Sequence, residues 1–179
     1  AEFTNMRIRL PQLERLLVLG RVLSSTLDLP TLLDLIVRAG HEMTDSEGCS
    51  ILLLDSKSGE LYFEAASGGA EETTIKRIVV PLDSSIAGLV CRTAQPIVIS
   101  DTSQDARFYR QADVQSEFTT RSILAVPLKV KDKVLGCLEA VNKRKDATFN
   151  DEDAETLTTL ASQAAVAIQN ARMFEQSDQ

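Results

Sequence analysis

Ile123-Leu-Ala-Val-Pro-Leu-Lys-Val130, then Lys131-Asp-Lys133, then Val134-Leu-Gly-Cys-Leu-Glu-Ala-Val-Asn142 reads as two apolar strands joined by a short polar turn. A second hairpin lies upstream. Cys49-Ser-Ile-Leu-Leu-Leu-Asp55 is a compact apolar run stopped by Ser56-Lys-Ser-Gly59, after which 60–66 is again extended. A third strand is expected over 75–82, with Ile78 and Val80 alternating before Pro81, and a short one over 96–100. Ser84 or Ser85 is placed to cap a small helix over 86–94. A second small helix is expected between Asp101 and Leu124.

Longer helices flank these strands. Leu13, Leu16, Leu17, Leu23 and Leu27 recur at three- and four-residue spacing, predicting a helix over 10–26 that Gly20 weakens by about 1 kcal/mol relative to Ala. Asp28-Leu-Pro30 breaks the chain, and Pro30 suits the first turn of a second helix carrying Leu32, Leu33, Ile36, Val37, Gly40 and Met43. Asn150 caps a long last helix, with Asp153 three residues on and acidic residues favoured by the helix dipole. Its apolar face is Leu157, Leu160, Ala161, Ala164, Ile168 and Ala171, continuing to Phe174. Antiparallel hairpins with helices grouped at the chain ends predict an α+β fold. The terminal helices cover one face of the sheet. The small helices and their loops partly cover the other, where a concave site is expected.

A chain of 179 residues suits one domain with a full core, and 44% hydrophobic with 25% charged residues is ordinary for a globular protein. Aromatics are only 4% and Trp is absent, so the core must be Leu, Ile, Val and Ala. A net charge of −7 argues against nucleic-acid binding, which needs clustered Lys and Arg. Lys143-Arg-Lys145 beside Asp146 is too small to anchor a membrane surface, and no apolar run reaches the length of a membrane span. Cys49, Cys91 and Cys137 are odd in number and far apart, which predicts reduced thiols in the cytoplasm.

Chemistry is sparse. His41 lacks partners at metal-ligand spacing, so zinc or haem ligation is not expected. There is no nucleophile–base pair or phosphate-binding glycine loop, and an enzyme has the least support. The richest polar feature is on the second small helix. Tyr109, Asp113, Ser116 and Thr120 fall within an arc of about 60° at helical pitch. Two readings stand for them: a stripe that hydrogen-bonds a compact polar ligand, or a solvated face opposite Val114 and Phe118. Asp113→Ala separates the two, by abolishing ligand binding at nearly unchanged melting temperature or by disturbing the fold. From the strand pattern alone, Glu139 is an outward acid on an alternating strand and Ser50 a small core residue bonded to backbone.

Several short segments together resemble a GAF domain over roughly 31–170. They are Cys49-Ser-Ile-Leu-Leu-Leu-Asp55, Ser85-Ile-Ala-Gly88, Ile99-Ser-Asp101, Asp105-Ala-Arg-Phe108, Thr120-Arg-Ser-Ile-Leu124 and Glu139-Ala-Val-Asn-Lys143. Within the family the chain is most similar to the cyclic-nucleotide-binding branch of phosphodiesterases and adenylyl cyclases. That branch carries a motif matched here by Asn142, Lys143, Phe149 and Asp153, with Ala154 where the family has Glu. The resemblance implies a structural Lys143–Asp153 pair. It also implies ligand contacts at Ser50, Ile86, Ala87, Tyr109, Asp113, Ser116, Thr120 and Glu139. Ser116 stands where the family has Thr, Glu117 where it has Gly, and the base-reading segment near 63–66 has no match. A helix start at Ser84-Ser-Ile-Ala-Gly88 can receive a phosphate through backbone N–H groups without Lys or Arg.

The resemblance therefore implies a cytoplasmic regulatory sensor from a bacterial signalling protein, its last helix being similar to those that lead into bacterial effectors. The expected ligand is cAMP or cGMP, with no cofactor required. The expected organisation is a vector-derived or disordered start over 1–9, a signalling and dimerisation helix over 10–30, the sensor domain over 31–170 with its last helix over 150–175, and a linker over 171–179. That linker would lead to a further effector domain such as a histidine kinase, cyclase, phosphodiesterase or phosphatase. The expected partners are the small ligand, a second copy through the terminal helices, and the effector, with neither nucleic acid nor direct membrane contact. The competing reading is a ligand-free dimerisation and transmission module of a two-component histidine kinase or similar protein.

Overall fold

The computed structural model describes residues 8–68, 78–104, 120–145 and 147–177. Helix α1 (Leu10–Ser24) starts at a proline-bearing first turn, and α2 (Leu29–Met43) is capped by Asp28, whose carboxylate accepts from the Thr31 N–H at 3.2 Å. Strands β1 (Ser46–Leu54) and β2 (Leu61–Ser67) form the first hairpin, followed by β3 (Val79–Val80). Then come α3 (Ile86–Thr93), β4 (Ile97–Ile99), a single 3-10 turn at Thr102–Gln104, β5 (Ile123–Val130), β6 (Lys133–Lys143) and α4 (Asp151–Ser177). Among the described residues the strands make one antiparallel sheet in the order β3-β2-β1-β6-β5-β4.

The α+β expectation holds in detail. Alternate residues of β1, β5 and β6 point to opposite sides because the side-chain period of a strand is two. Ile51, Leu53, Leu124, Val126, Leu138 and Ala140 join α1, α2 and α4 in the larger apolar core. Leu52, Leu61, Ile123, Ala125 and Cys137 face the other way and pack with Ile86, Ala87 and Val90 of α3. Helix α3 ends at Ala94, which adopts a left-handed conformation and returns its N–H to Val90.

Some expectations need adjustment. Of the strand expected over 75–82, β3 is Val79–Val80, while 75–77 lie outside the described residues. Pro81 has no N–H to continue the ladder. The leucine stripe of α1 splits between two surroundings. Leu16 and Leu23 are buried against the core, whereas Leu17 is 69% exposed. The small helix expected around Tyr109, Asp113 and Ser116 lies outside the described residues, and Thr120 is described in a non-helical segment.

Candidate functional site

The face of the sheet beneath α3 carries a row that crosses four strands. Ala66 of β2 pairs with Ser50 of β1, Ser50 with Glu139 of β6, and Glu139 with Ala125 of β5. Directly opposed residues of neighbouring strands hold their Cβ atoms about 5 Å apart, so the Ser50 hydroxyl and Glu139 carboxylate are neighbours on one surface. Three of the four side chains are small. The row therefore makes a low floor with one acid in it. Glu139 is only 9% exposed, which for a carboxylate demands compensating contacts. A bulge between Ile51 and Leu52 leaves Glu64 as an extra residue on β2 and returns Ala66 to the Ser50 side.

The start of α3 packs over this surface. Ser85 accepts from the Gly88 N–H at 2.9 Å and donates to the Pro81 carbonyl. Gly88 is required by close packing, since a Cβ there would meet the Leu82 carbonyl oxygen at 2.2 Å. The first-turn amides of Ile86 and Ala87 have no acceptor within their own helix, and both residues are buried. A carboxylate-bearing floor beneath a helix start can serve donors at one end of a ligand and an acceptor or anion at the other.

Two adjacent residues at the end of β6 anchor the surroundings. Asn142 Oδ1 accepts from the Arg121 and Ser122 N–H groups at 2.5 and 3.2 Å, and Asn142 Nδ2 donates to Glu47 at 3.2 Å. Lys143 Nζ donates to the Thr44 carbonyl at 2.7 Å and to Asp153 at 3.0 Å. Asp153 and Asn150 cap α4 reciprocally: each side chain accepts from the other's backbone N–H, at 3.0 and 2.8 Å. Phe149 is buried in the larger core just before that cap. Lys143 thus ties the end of α2 to the first turn of α4.

The GAF domain family's model matches residues 28–168. The chain belongs to the GAF domain family. A relative described as probable 3',5'-cyclic phosphodiesterase pde-5, from Caenorhabditis elegans, is 26% identical over 148 residues, which are 78% of this chain and 20% of that protein. Among solved structures, the GAF domain of an Acinetobacter phosphoenolpyruvate-protein phosphotransferase matches with a TM-score of 0.78 at 26% identity, covering 93% of this chain and 97% of its own. Free methionine-R-sulfoxide reductase from Neisseria meningitidis, solved with its substrate, has a TM-score of 0.70 at 20% identity, covering 89% of each chain; it shares the fold. GAF domains are small-molecule-binding or regulatory sensor domains of signalling proteins.

This GAF domain brings Ser50, Ile86, Ala87 and Glu139 to the same side of its sheet, while Asn142, Lys143, Phe149 and Asp153 hold the frame. Tyr109, Asp113 and Ser116 lie outside the described residues. Thr120 is buried, and its carbonyl accepts from Thr102 Oγ1 at 2.6 Å. Sequence spacing missed Glu47, Thr102 and Arg121, which come from three separated segments. A notch of about 230 Å³ beside Arg172, Glu64 and Asp55 includes none of the expected contacts.

The thiols are poor nucleophiles. Cys49 and Cys137 are fully buried, and burial first, then the nearby Glu139 charge, push both well above the usual thiol range. The same two causes push Cys91 up to about 12. A thiol held protonated at neutral pH does not attack or bind a metal readily. Among the described residues no group of His, Cys, Asp and Glu is arranged to hold a metal ion. Nor is any described helix long and apolar enough to cross a membrane.

Proposed function

We propose that this GAF domain is the non-catalytic, ligand-binding sensor of a larger cytoplasmic signalling protein, and that its ligand is cAMP or cGMP. The observation that carries this reading is the Ala66–Ser50–Glu139–Ala125 row lying beneath the start of α3. Small side chains leave room over the sheet for a flat base. Glu139 and Ser50 supply an acceptor and a hydroxyl for its polar edge. The Ile86 and Ala87 amides supply donors that suit a phosphate in a protein of net charge −7. The similarity to a cyclic phosphodiesterase supports the same class of ligand. Tyr109, Asp113, Ser116 and Thr120 complete the proposed contacts. Binding then shifts the packing of α4, and α4 passes the change to an effector domain.

Isothermal titration with cAMP and with cGMP tests this directly. We expect one of them to bind, and Glu139→Gln to weaken it by about tenfold or more at an unchanged melting temperature. No heat at millimolar concentrations of either nucleotide sinks the proposal.

A second reading is a homodimeric transmission module that needs no ligand, as in a two-component kinase. Leu10, Leu17, Val18 and Val22 favour it, being apolar and exposed on the side of α1 away from the core. Sedimentation decides it: Leu17→Glu with Val18→Glu should convert a dimer to a monomer, and an unchanged dimer removes α1 from the seam.

A further inference from the structure

Thr102 and the Thr120–Ser122 segment, which flank residues 105–119 in the sequence, are held together from both sides. On one side, Thr102 is buried, its N–H donates to the Arg121 carbonyl at 2.9 Å, and its Oγ1 donates to the Thr120 carbonyl. On the other, Asn142 accepts from the Arg121 and Ser122 amides. Two N–H donors face Oδ1, so the amide nitrogen of Asn142 is turned to Glu47 Oε1. The second oxygen of Glu47 accepts from the Arg121 guanidinium at 2.7 Å, closing a ring of three residues that passes through both the main-chain N–H and the side chain of Arg121. Asn142 is 1% exposed and sits at φ 60°, a backbone conformation that Asn tolerates better than most residues and that aims its amide at the neighbouring strand.

Each contact alone is ordinary. The Arg121–Glu47 pair is half exposed and contributes little by itself. Their arrangement is not ordinary, because every contact except the Asn142–Glu47 bond converges on three consecutive residues, Thr120, Arg121 and Ser122. Buried, mutually satisfied polar groups behave as a unit, and loss of one leaves the others unpaired.

We propose that Thr102, Glu47, Arg121 and Asn142 form a clamp that fixes both ends of the 105–119 connection as one cooperative unit, and that they are positioning residues for the ligand site through Thr120. The effect on affinity rests on the ligand-binding reading above; the cooperativity of the clamp does not.

The experiment uses the full chain with four changes: Asn142→Gly, Thr102→Val, both together, and the exchange Glu47→Gln with Asn142→Asp. Glycine keeps the left-handed backbone while deleting the amide. The exchange keeps the net charge and the 47–142 hydrogen bond while moving its donor to position 47. Hydrogen exchange is followed at the Thr102, Arg121 and Ser122 amides, and binding is followed with cAMP and cGMP. Asn142→Gly should speed exchange at Thr102, on the far side of the connection, by about tenfold, and Thr102→Val should do the same at Ser122. The double change should be no worse than the worse single one, since coupled residues do not add. The Glu47/Asn142 exchange should preserve protection and affinity. Independent, additive effects at the two ends overturn the clamp. Unchanged nucleotide affinity in Asn142→Gly overturns its positioning role. Failure of the unmodified chain to bind either nucleotide overturns the ligand reading, and the exchange rates still judge the clamp. Should Asn142→Gly not fold, unchanged Ser122 exchange in Thr102→Val overturns the clamp, and unchanged nucleotide affinity in Thr102→Val overturns the positioning role.

Discussion

The two faces of this sheet are built from alternate residues of the same strands, yet they bury different things. Ile51, Leu53, Leu138 and Ala140 belong to the larger apolar core with α1, α2 and α4. On the other side the Leu52–Cys137 pair is apolar, but the next pair on that face, Ser50–Glu139, is not. The helical face gains from every methylene it excludes from water. The face under α3 gives up part of that gain to keep a carboxylate and a hydroxyl where close packing would place Leu or Val. The apolar core and the proposed recognition surface are thus separated by one residue of strand register.

The separation can be broken from the stable side first. Leu157 is fully buried in the larger core, so Leu157→Ala should cost about 4 kcal/mol, read as a lower urea midpoint. A much smaller loss would mean that the helical layer is loosely packed. Next comes the frame joining the two sides. Lys143 and Asp153 are 13% and 6% exposed, and Lys143→Ala leaves the acid and the Thr44 carbonyl without their partner, at a cost of about 3 kcal/mol. That variant should also speed amide exchange in the first turn of α4.

Alkaline titration gives a smaller effect. Cys91 is raised from an ordinary value of 9.0 to about 12, and Cys49 and Cys137 are raised as well. The folded state therefore holds its thiol protons more tightly than the unfolded state. The stability this contributes is complete below pH 9 and declines as pH rises towards 12. A Cys91→Ala variant should lose stability less steeply across that window, as followed by denaturant midpoints at each pH. The smallest effect is at Thr156, whose buried hydroxyl finds no partner among the described residues. Thr156→Val should be neutral or stabilising by up to about 1 kcal/mol.

Local signals made much of the fold legible. The bounds of β5 fall where the apolar run begins and ends, Ser85 caps α3, and Asn150 with Asp153 caps α4. Each of these depends on residues within a few positions of one another. The facing of α1 was harder to read, because Leu16 and Leu17 are equally apolar and only the partner helix distinguishes them. Glu139 left two readings open for a similar reason. Strand alternation gives its parity but not which face is covered, and α3 covers it from a segment far upstream in the chain. The Glu47–Asn142–Arg121 ring leaves no spacing signal at all, since its members meet only once β1, β5 and β6 are in register.

Arg9 meets Glu152, and the Leu16 carbonyl meets Gln163, so α1 and α4 run side by side in the same direction. With 27 residues, α4 is about 40 Å long. Copies of such a unit threaded on one polypeptide would stack end on end like carriages rather than fold back on themselves, and a twist applied at the first coupling would have to travel through every carriage to reach the last.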